Sequence, residues 1–417
     1  MTDLRKHKHL IENFLSLSVL NGLNVLLPLV TLPYILGVVG KANYGAYSYV
    51  YVIVQYVILF STYGFSFSAT KQISQCRDDI REVSRIYNAV TVCKGLIAVL
   101  VSTILLLFSR IVFKDQVGTL MFLYGLGMVV GDVFTPVWLF QGMERMKYMT
   151  IVNASSKILF TVLIFILIRH AEDYQLLILL NSCGYLLAGA LSLVLVSRQF
   201  HLRLHRVRWS DIISQLKAGS AVFGSTFGMN LYRNANVIIL KQFVSDDVVG
   251  LYSAAEKVIK GFQSLISPAA QALFPHLSLR FKGQSVKNNM RLLRKIALPF
   301  TSVVLVVTIG VYIFAPFISD ILCGKSFSEC VPLIRIMTLV IFFGEVNYLV
   351  GIVGLINMEG QRYFFRSVIV TGVFSVVYML LMTPRYGGEA AAWAMSLSEI
   401  LLLLLCLLNL YRIKKRV

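Results

Sequence analysis

Most of the 417 residues fall in apolar stretches about twenty residues long, and that pattern constrains the fold more than any motif. The stretches lie at roughly 11–36, 42–64, 87–109, 117–140, 149–169, 174–197, 215–240, 250–275, 296–319, 331–354, 365–383 and 389–411. About twenty apolar residues suffice to carry a helix across the hydrocarbon core. Backbone polar groups find no water there, so each stretch must satisfy its own N–H and C=O groups, as a helix does. The chain is 57% hydrophobic and 14% charged, against about 45–50% and 25% in soluble domains. The prediction is an all-α integral membrane protein of about twelve transmembrane helices. No linker much exceeds about twenty residues, which leaves no room for a soluble domain.

Lysine and arginine set the orientation. With the N-terminus inside, the inner segments hold about twenty-five of the 39 basic residues and the outer loops about seven. This asymmetry places both termini in the cytoplasm and accounts for most of the +19 net charge without a nucleic-acid partner. The basic start MTDLRKHKHL precedes an apolar run too long for a signal-peptide core, so it reads as a first helix that stays attached.

The chain also repeats. Residues 35–48 read ILGVVGKANYGAYS and residues 239–253 read ILKQFVSDDVVGLYS. Each runs Ile-Leu, a short outer loop, then Gly-x-Tyr-Ser opening the next span, at an offset of about 205. A weaker echo pairs Met143, Glu144 and Tyr148 with Met358, Glu359 and Tyr363. Duplication of six spans keeps both halves in one orientation. The expected architecture is two six-helix bundles, 1–210 and 211–417, related by a pseudo-twofold axis along the membrane normal, with a site between them.

At about 100° per residue, polar residues collect on single faces of four spans. Asn13, Asn21 and Asn24 share an arc on span one; Tyr44, Tyr47, Ser48, Tyr51, Gln55 and Thr62 share one on span two. Thr226, Asn230, Arg233 and Asn234 do so on span seven, and Tyr252, Ser253, Glu256, Lys260, Gln263, Ser267 and Gln271 on span eight, with Lys257 at the edge. One stripe alone is equally explained by helix–helix adhesion. Four stripes on repeat-related helices favour a water-filled cavity. Cations also lie within spans, among them Lys94, Lys157, Arg233, Lys260 and Arg335. Each either faces such a cavity or snorkels to the interface. Asp132, Glu345 and Glu399 lie mid-span and are too short to snorkel. With Glu256 they are the candidates for a proton or sodium site, or for partners of buried cations.

Several classes are disfavoured. No Cys/His cluster has metal-ligand spacing. Cys323 and Cys330 share an outer loop, where free thiols and a disulfide both remain open readings. No P-loop occurs. Outer loops of about ten residues or fewer leave little room for catalytic groups, which weighs against a membrane polysaccharide polymerase or glycosyltransferase. No catalytic residue and no resident cofactor is expected, beyond a proton or sodium gradient.

LPYILGVVGKANYGAYSYV (32–50), STYGFSFSATKQIS (61–74), PVWLFQGMERMKY (136–148) and VGLYSAAEKVIKGF (249–262) resemble bacterial polysaccharide flippases. These are the O-antigen repeat-unit translocases of the multidrug/oligosaccharidyl-lipid/polysaccharide exporter superfamily. The first and third blocks are the most specific, and the resemblance covers nearly the whole chain. It implies two six-helix bundles around a cation-lined cavity in the bacterial inner membrane. It further implies flipping of undecaprenyl-pyrophosphate-linked oligosaccharide from the inner to the outer leaflet by alternating access, for surface polysaccharide synthesis. A polysaccharide polymerase and a chain-length regulator are the expected protein partners. Arg233, Lys260, Lys257, Lys94, Asn230, Asn234, Asn21, Asn24, Tyr51 and Gln55 are then the candidate substrate ligands. Glu345, Glu399, Asp132 and Glu256 are the candidates for ion coupling. Trp138, with Gln141, Gly142 and Glu144, matches the family at the inner end of span four and reads as loop geometry with an interface anchor. A cation-coupled drug exporter of the same fold is the nearest alternative, disfavoured by a net-positive cavity.

Overall fold

The computed structural model describes residues 2–202, 205–281, 285–324, 327–358 and 360–416, and these segments are mostly helical, with no strand among them. The α-helices run α1 (Thr2–Thr62), α2 (Phe65–Gln75), α3 (Ile80–Leu107), α4 (Ser109–Val112), α5 (Gln116–Val133), α6 (Val137–Gly142), α7 (Met146–Leu167), α8 (Leu176–Gln199), α9 (Trp209–Arg233), α10 (Asn236–Leu240), α11 (Asp246–Phe281), α12 (Val286–Ile313), α13 (Ala315–Leu322), α14 (Cys330–Asn347) and α15 (Gln361–Arg416). α1 and α15 each hold two expected spans. Gly40 breaks the first at φ 74° and Gly387 the second at φ 52°, where a side chain would be strained. Among the described residues this yields twelve arms of membrane-crossing length, the all-α membrane fold expected from the sequence.

Eight stretches are both long and apolar enough to cross a membrane, two of them the paired arms of α1–α2 and α15. The two remaining arms, 209–240 and 246–281, fall short in hydropathy because they carry the polar stripes of spans seven and eight. Elsewhere the outward surface is apolar: Val306 is 69% and Leu381 64% exposed. Small polar groups such as Ser192, Ser396, Ser398 and Thr371 are wholly buried. Seryl and threonyl side chains let helices approach closely where lipid supplies no hydrophobic driving force.

The chain divides into two compact units, Met1–Thr31 with Tyr49–Phe227, and Leu32–Ser48 with Gly228–Val417. Leu32–Ser48 goes with the second unit for a local reason. A Cβ on Gly45 would stand 1.9 Å from the Asp246 carbonyl oxygen, and one on Gly250 would stand 2.0 Å from that of Lys41. Gly45 and Gly250 are the two repeat glycines, and Lys41 and Asp246 are offset by the same 205 positions. The duplicated motif therefore packs on its own copy, backbone against backbone, with a local twofold exchange of contacts. Lys41 is held further by Glu329 at 2.9 Å.

The first unit packs Phe65, Ile73, Tyr87, Trp138, Phe140, Phe200 and Ile212 into one core. Trp138 is thus no interface anchor: it is buried, 6.0 Å from the Tyr87 ring. The motif around it is structural. Gly142 lets α6 lie against Ile73 and the Thr70 carbonyl. Glu144, in left-handed backbone at φ 56°, turns to meet Arg77 at 2.9 Å. Nearby, Asp211 in the first turn of α9, ahead of its apolar stretch, accepts hydrogen bonds from Arg85 at 2.6 and 3.1 Å. Those bonds hold its carboxyl below the usual carboxylate range. All six cysteines are free thiols, Cys323 and Cys330 included.

Candidate functional site

The stretch GMNLYRNANVIIL (228–240), in the second unit, is not one continuous helix. α9 ends at Arg233, Asn234 and Ala235 form a turn, and α10 begins at Asn236. Asn234 and Asn236 are poor helix formers, and their side chains bond across to Asn230 and Tyr252. Discontinuous helices at membrane depth recur where transporters bind charged ligands. Here the break puts Arg233 on the C-terminal turn of α9, where the helix dipole is negative.

Arg233 Nη2 donates to Glu399 Oε1 at 3.1 Å, and Nε donates to the Tyr232 hydroxyl at 3.1 Å. Glu399, on the second arm of α15, is 1% exposed, whereas the Arg233 side chain is 44% exposed. Asn347, the last residue of α14, donates through Nδ2 to Glu399 Oε2 at 2.7 Å and to the Glu399 carbonyl at 2.8 Å. The carboxylate is therefore fixed from behind, and it fixes the guanidinium from behind. The remaining Arg233 N–H groups meet no protein acceptor among the described residues.

A second chain of contacts runs beside it. Asn234 donates to Asn230 Oδ1 at 2.5 Å and accepts from Lys260 Nζ at 2.8 Å. Lys260 also pairs with Glu256 at 3.0 Å, one turn back on α11. Lys257 stands over the Tyr44 ring at 5.9 Å. Lys257, Lys260, Ser264 and Gln271 lie within about 60° of one another on α11, and Ser264 and Gln271 are exposed. A face of this kind costs several kcal/mol per charge against acyl chains and is stable against water.

Glu345 lies deeper. Ser267 Oγ is 2.6 Å from Glu345 Oε1 and 2.9 Å from the Gln263 carbonyl. A hydroxyl has one hydrogen. If it goes to the Gln263 carbonyl, the short contact is a hydrogen bond only when Glu345 carries a proton. Glu345 Oε2 has no partner, and among the described residues no cation lies within ion-pair distance. A π-helical segment, Tyr348–Leu355, follows directly after Asn347, and such segments concentrate at functional sites.

In the first unit, Lys94 and Asp132 form a pair of their own. Lys94 Nζ is 2.8 Å from Asp132 Oδ2 and donates to the Asp132 carbonyl at 2.7 Å. That carbonyl lacks its usual helical donor because position 136 is proline. Lys94 is 3% exposed, so it neither snorkels nor presents its charge. Gln55 hydrogen-bonds the Tyr185 hydroxyl in the same unit, and Tyr51 is half-buried. The side chains of Asn13, Asn21 and Asn24 lie outside the described residues.

The second unit thus gathers seven residues singled out from sequence: Asn230, Arg233, Asn234, Glu256, Lys260, Glu345 and Glu399. It adds Asn347 and Tyr232, which sequence reasoning passed over. Asn347 sits two residues beyond Glu345 in the apolar run VIFFGEVNYLV, and its isolation as a polar group in that run was the available signal. The site is also less positive than expected. Arg233 and Lys260 each have a carboxylate partner.

A model of the polysaccharide biosynthesis protein family matches residues 10–280. A proposed O-antigen transporter of Escherichia coli (strain K12) is 28% identical over 408 residues, 95% of each chain. Another from Shigella dysenteriae is 25% identical over 396 residues, covering 95% of this chain and 98% of that one. Among solved structures, the lipid II flippase MurJ in an inward closed conformation superposes with TM-score 0.76 at 10% identity, covering 97% of this chain and 90% of that one. An inward-facing multidrug resistance MATE family transporter of the MOP superfamily gives 0.70 at 12% identity, with 93% and 98% covered. These likenesses place the twelve-arm fold among flippases and exporters. The chain itself belongs to the polysaccharide biosynthesis protein family.

Proposed function

We propose that the protein moves an undecaprenyl-pyrophosphate-linked oligosaccharide from the cytoplasmic to the outer leaflet of the bacterial inner membrane by alternating access. The observation that carries this reading is Arg233: an exposed guanidinium at membrane depth, anchored by a buried carboxylate and with donors to spare. A pyrophosphate must lose water to cross a slab of low dielectric, and a planar guanidinium replaces that hydration through paired hydrogen bonds. Lys260 adds a second positive charge close by. The family membership and the O-antigen transporters among its relatives support the same cargo class. The protein is accordingly a transporter and not an enzyme.

Release requires the grip to weaken. Glu345 is the group suited to this, because its proton decides how much negative charge lies behind Arg233. With Glu345 neutral, Arg233 answers to Glu399 alone and the pyrophosphate competes for it. With Glu345 ionised, a second carboxylate draws the guanidinium back. A proton gradient is thus the expected coupling, with Asp132 already engaged by Lys94.

Reconstitution in vesicles with a fluorescent lipid-linked glycan tests both parts. Arg233→Ala and Lys260→Ala are expected to abolish flipping at normal protein level, with Arg233→Ala also lowering the melting temperature because it leaves the buried Glu399 carboxylate without its cation. Glu345→Gln is expected to keep binding but lose the response to an imposed pH gradient. Full flipping by both cation variants would remove them from the site and the reading with them.

A further inference from the structure

The cytoplasmic-side end of α12 carries four cations that the transport site does not use: Lys287, Arg291, Arg294 and Lys295. All four are exposed. At 100° per residue they fall within an arc of about 100°. The same arc, continued along the helix, holds Leu298, Leu305, Ile309 and Ile313, every one an exposed large apolar residue. The cations therefore stand directly on top of a lipid-facing stripe. α12 contains no acidic residue, and none of the four cations meets a carboxylate among the described residues. Two cations elsewhere on that side are held by carboxylates: Arg77 is paired with Glu144, and Arg85 with Asp211 and Glu82. An inward bias of positive charge requires only a count. It does not require segregation of unpaired cations on the one face that continues into lipid.

Depth agrees with this. Taking Leu298 as the edge of the hydrocarbon, Lys295, Arg294 and Arg291 lie about 4.5, 6 and 10 Å further along the helix at 1.5 Å per residue. The headgroup layer of one leaflet is about 5–8 Å thick, and these side chains reach several ångströms. Lys287, about 16 Å out, lies within reach of its outer edge.

We propose that this face of α12 is a binding site for anionic phospholipid headgroups of the adjoining leaflet, with the acyl chains lying along the Leu298–Ile313 stripe. Each cation near such a surface contributes about fivefold in affinity, the equivalent of roughly 1 kcal/mol. The site lies outside the Arg233 network, so it loads lipid whether or not substrate is bound.

Native mass spectrometry of the full chain, released from mixed micelles of equal phosphatidylglycerol and phosphatidylcholine, reads the number of lipids retained. The native chain is expected to keep phosphatidylglycerol in preference. The variant with Lys287, Arg291, Arg294 and Lys295 all changed to Gln is expected to lose that preference, and Arg291→Lys with Arg294→Lys to keep it. A control that changes Lys71, Arg206, Arg208 and Arg280 to Gln removes the same charge from other cytoplasmic-side positions and is expected to leave retention unaltered. The single Arg291→Gln variant, expected to weaken retention about fivefold, carries the test if the fourfold variant does not fold. Equal losses in control and α12 variants, or no loss in either, would overturn the proposal.

Discussion

Alanine at Gly45 or Gly250 is expected to drive the outer-side contact apart without unfolding the protein. The new Cβ would meet the Asp246 carbonyl oxygen at 1.9 Å or that of Lys41 at 2.0 Å. Real contacts of this kind begin near 3.0 Å, so the backbones must separate by about 1 Å. Both opposing atoms are main-chain, so no rotamer change relieves the clash. Overpacking of this size costs about 1–3 kcal/mol. Under the proposed alternating access the contact exists in one state and not in the other, and the cost then falls on one state only. At 2 kcal/mol the ratio of states then shifts about thirtyfold, since each 1.36 kcal/mol is tenfold. Spin labels at the exposed positions Ala42 and Ser245, read by pulsed dipolar spectroscopy, are expected to show a short distance in the native chain and a long one in either variant. Gly37→Ala is the control, because nothing lies within 4 Å of its added Cβ. An unchanged distance distribution together with a lower melting temperature would refute the reasoning: the glycines would then be fixed packing in every state.

Breaking the buried Lys94–Asp132 pair from one side, by Lys94→Met or Asp132→Leu, is expected to cost about 3–5 kcal/mol, and the double variant to recover most of it; thermal melts in detergent give both figures, and additive losses would contradict the pairing. Arg85 lowers the Asp211 pKa, so this pair contributes stability above the unfolded aspartate value near 4, and that stability is lost as pH falls through the lower folded value. Hydrogen exchange at the start of α9 is expected to rise on acidification in the native chain and to be raised already at neutral pH in Asp211→Asn, with little further pH response.

Helix number, helix placement and the polar faces of spans seven and eight were legible because each depends on one segment at a time. Apolar length sets a span, and angular periodicity sets its face. Glu256 and Lys260 could be paired from sequence because they lie four residues apart on one helix. Lys94 and Asp132 could not: they lie 38 positions apart on different helices, α3 and α5, and periodicity says nothing about which faces meet. Arg233 drew attention as a charge in an apolar run, but its partner Glu399 lies 166 positions away and entered as an unrelated carboxylate. Trp138 was misplaced for a similar reason. An indole near the end of a span suits the interface, and only tertiary packing against Tyr87 shows it buried. The break at Asn234 was visible as polarity but was absorbed into a continuous span, because no proline or glycine marks it.

The π-helical turn after Asn347 holds more residues per turn than an α-helix, so it stores about one residue of slack in the main chain. Winding that slack out would rotate the short turn that follows, Ile356–Met358, by about 100° relative to Glu345. Asn347 and the Glu399 carboxylate it holds would stay in place while the lead into α15 turned. That turn leads into α15, the helix that carries Glu399, so the slack lies on the chain segment joining Asn347 to the carboxylate it holds.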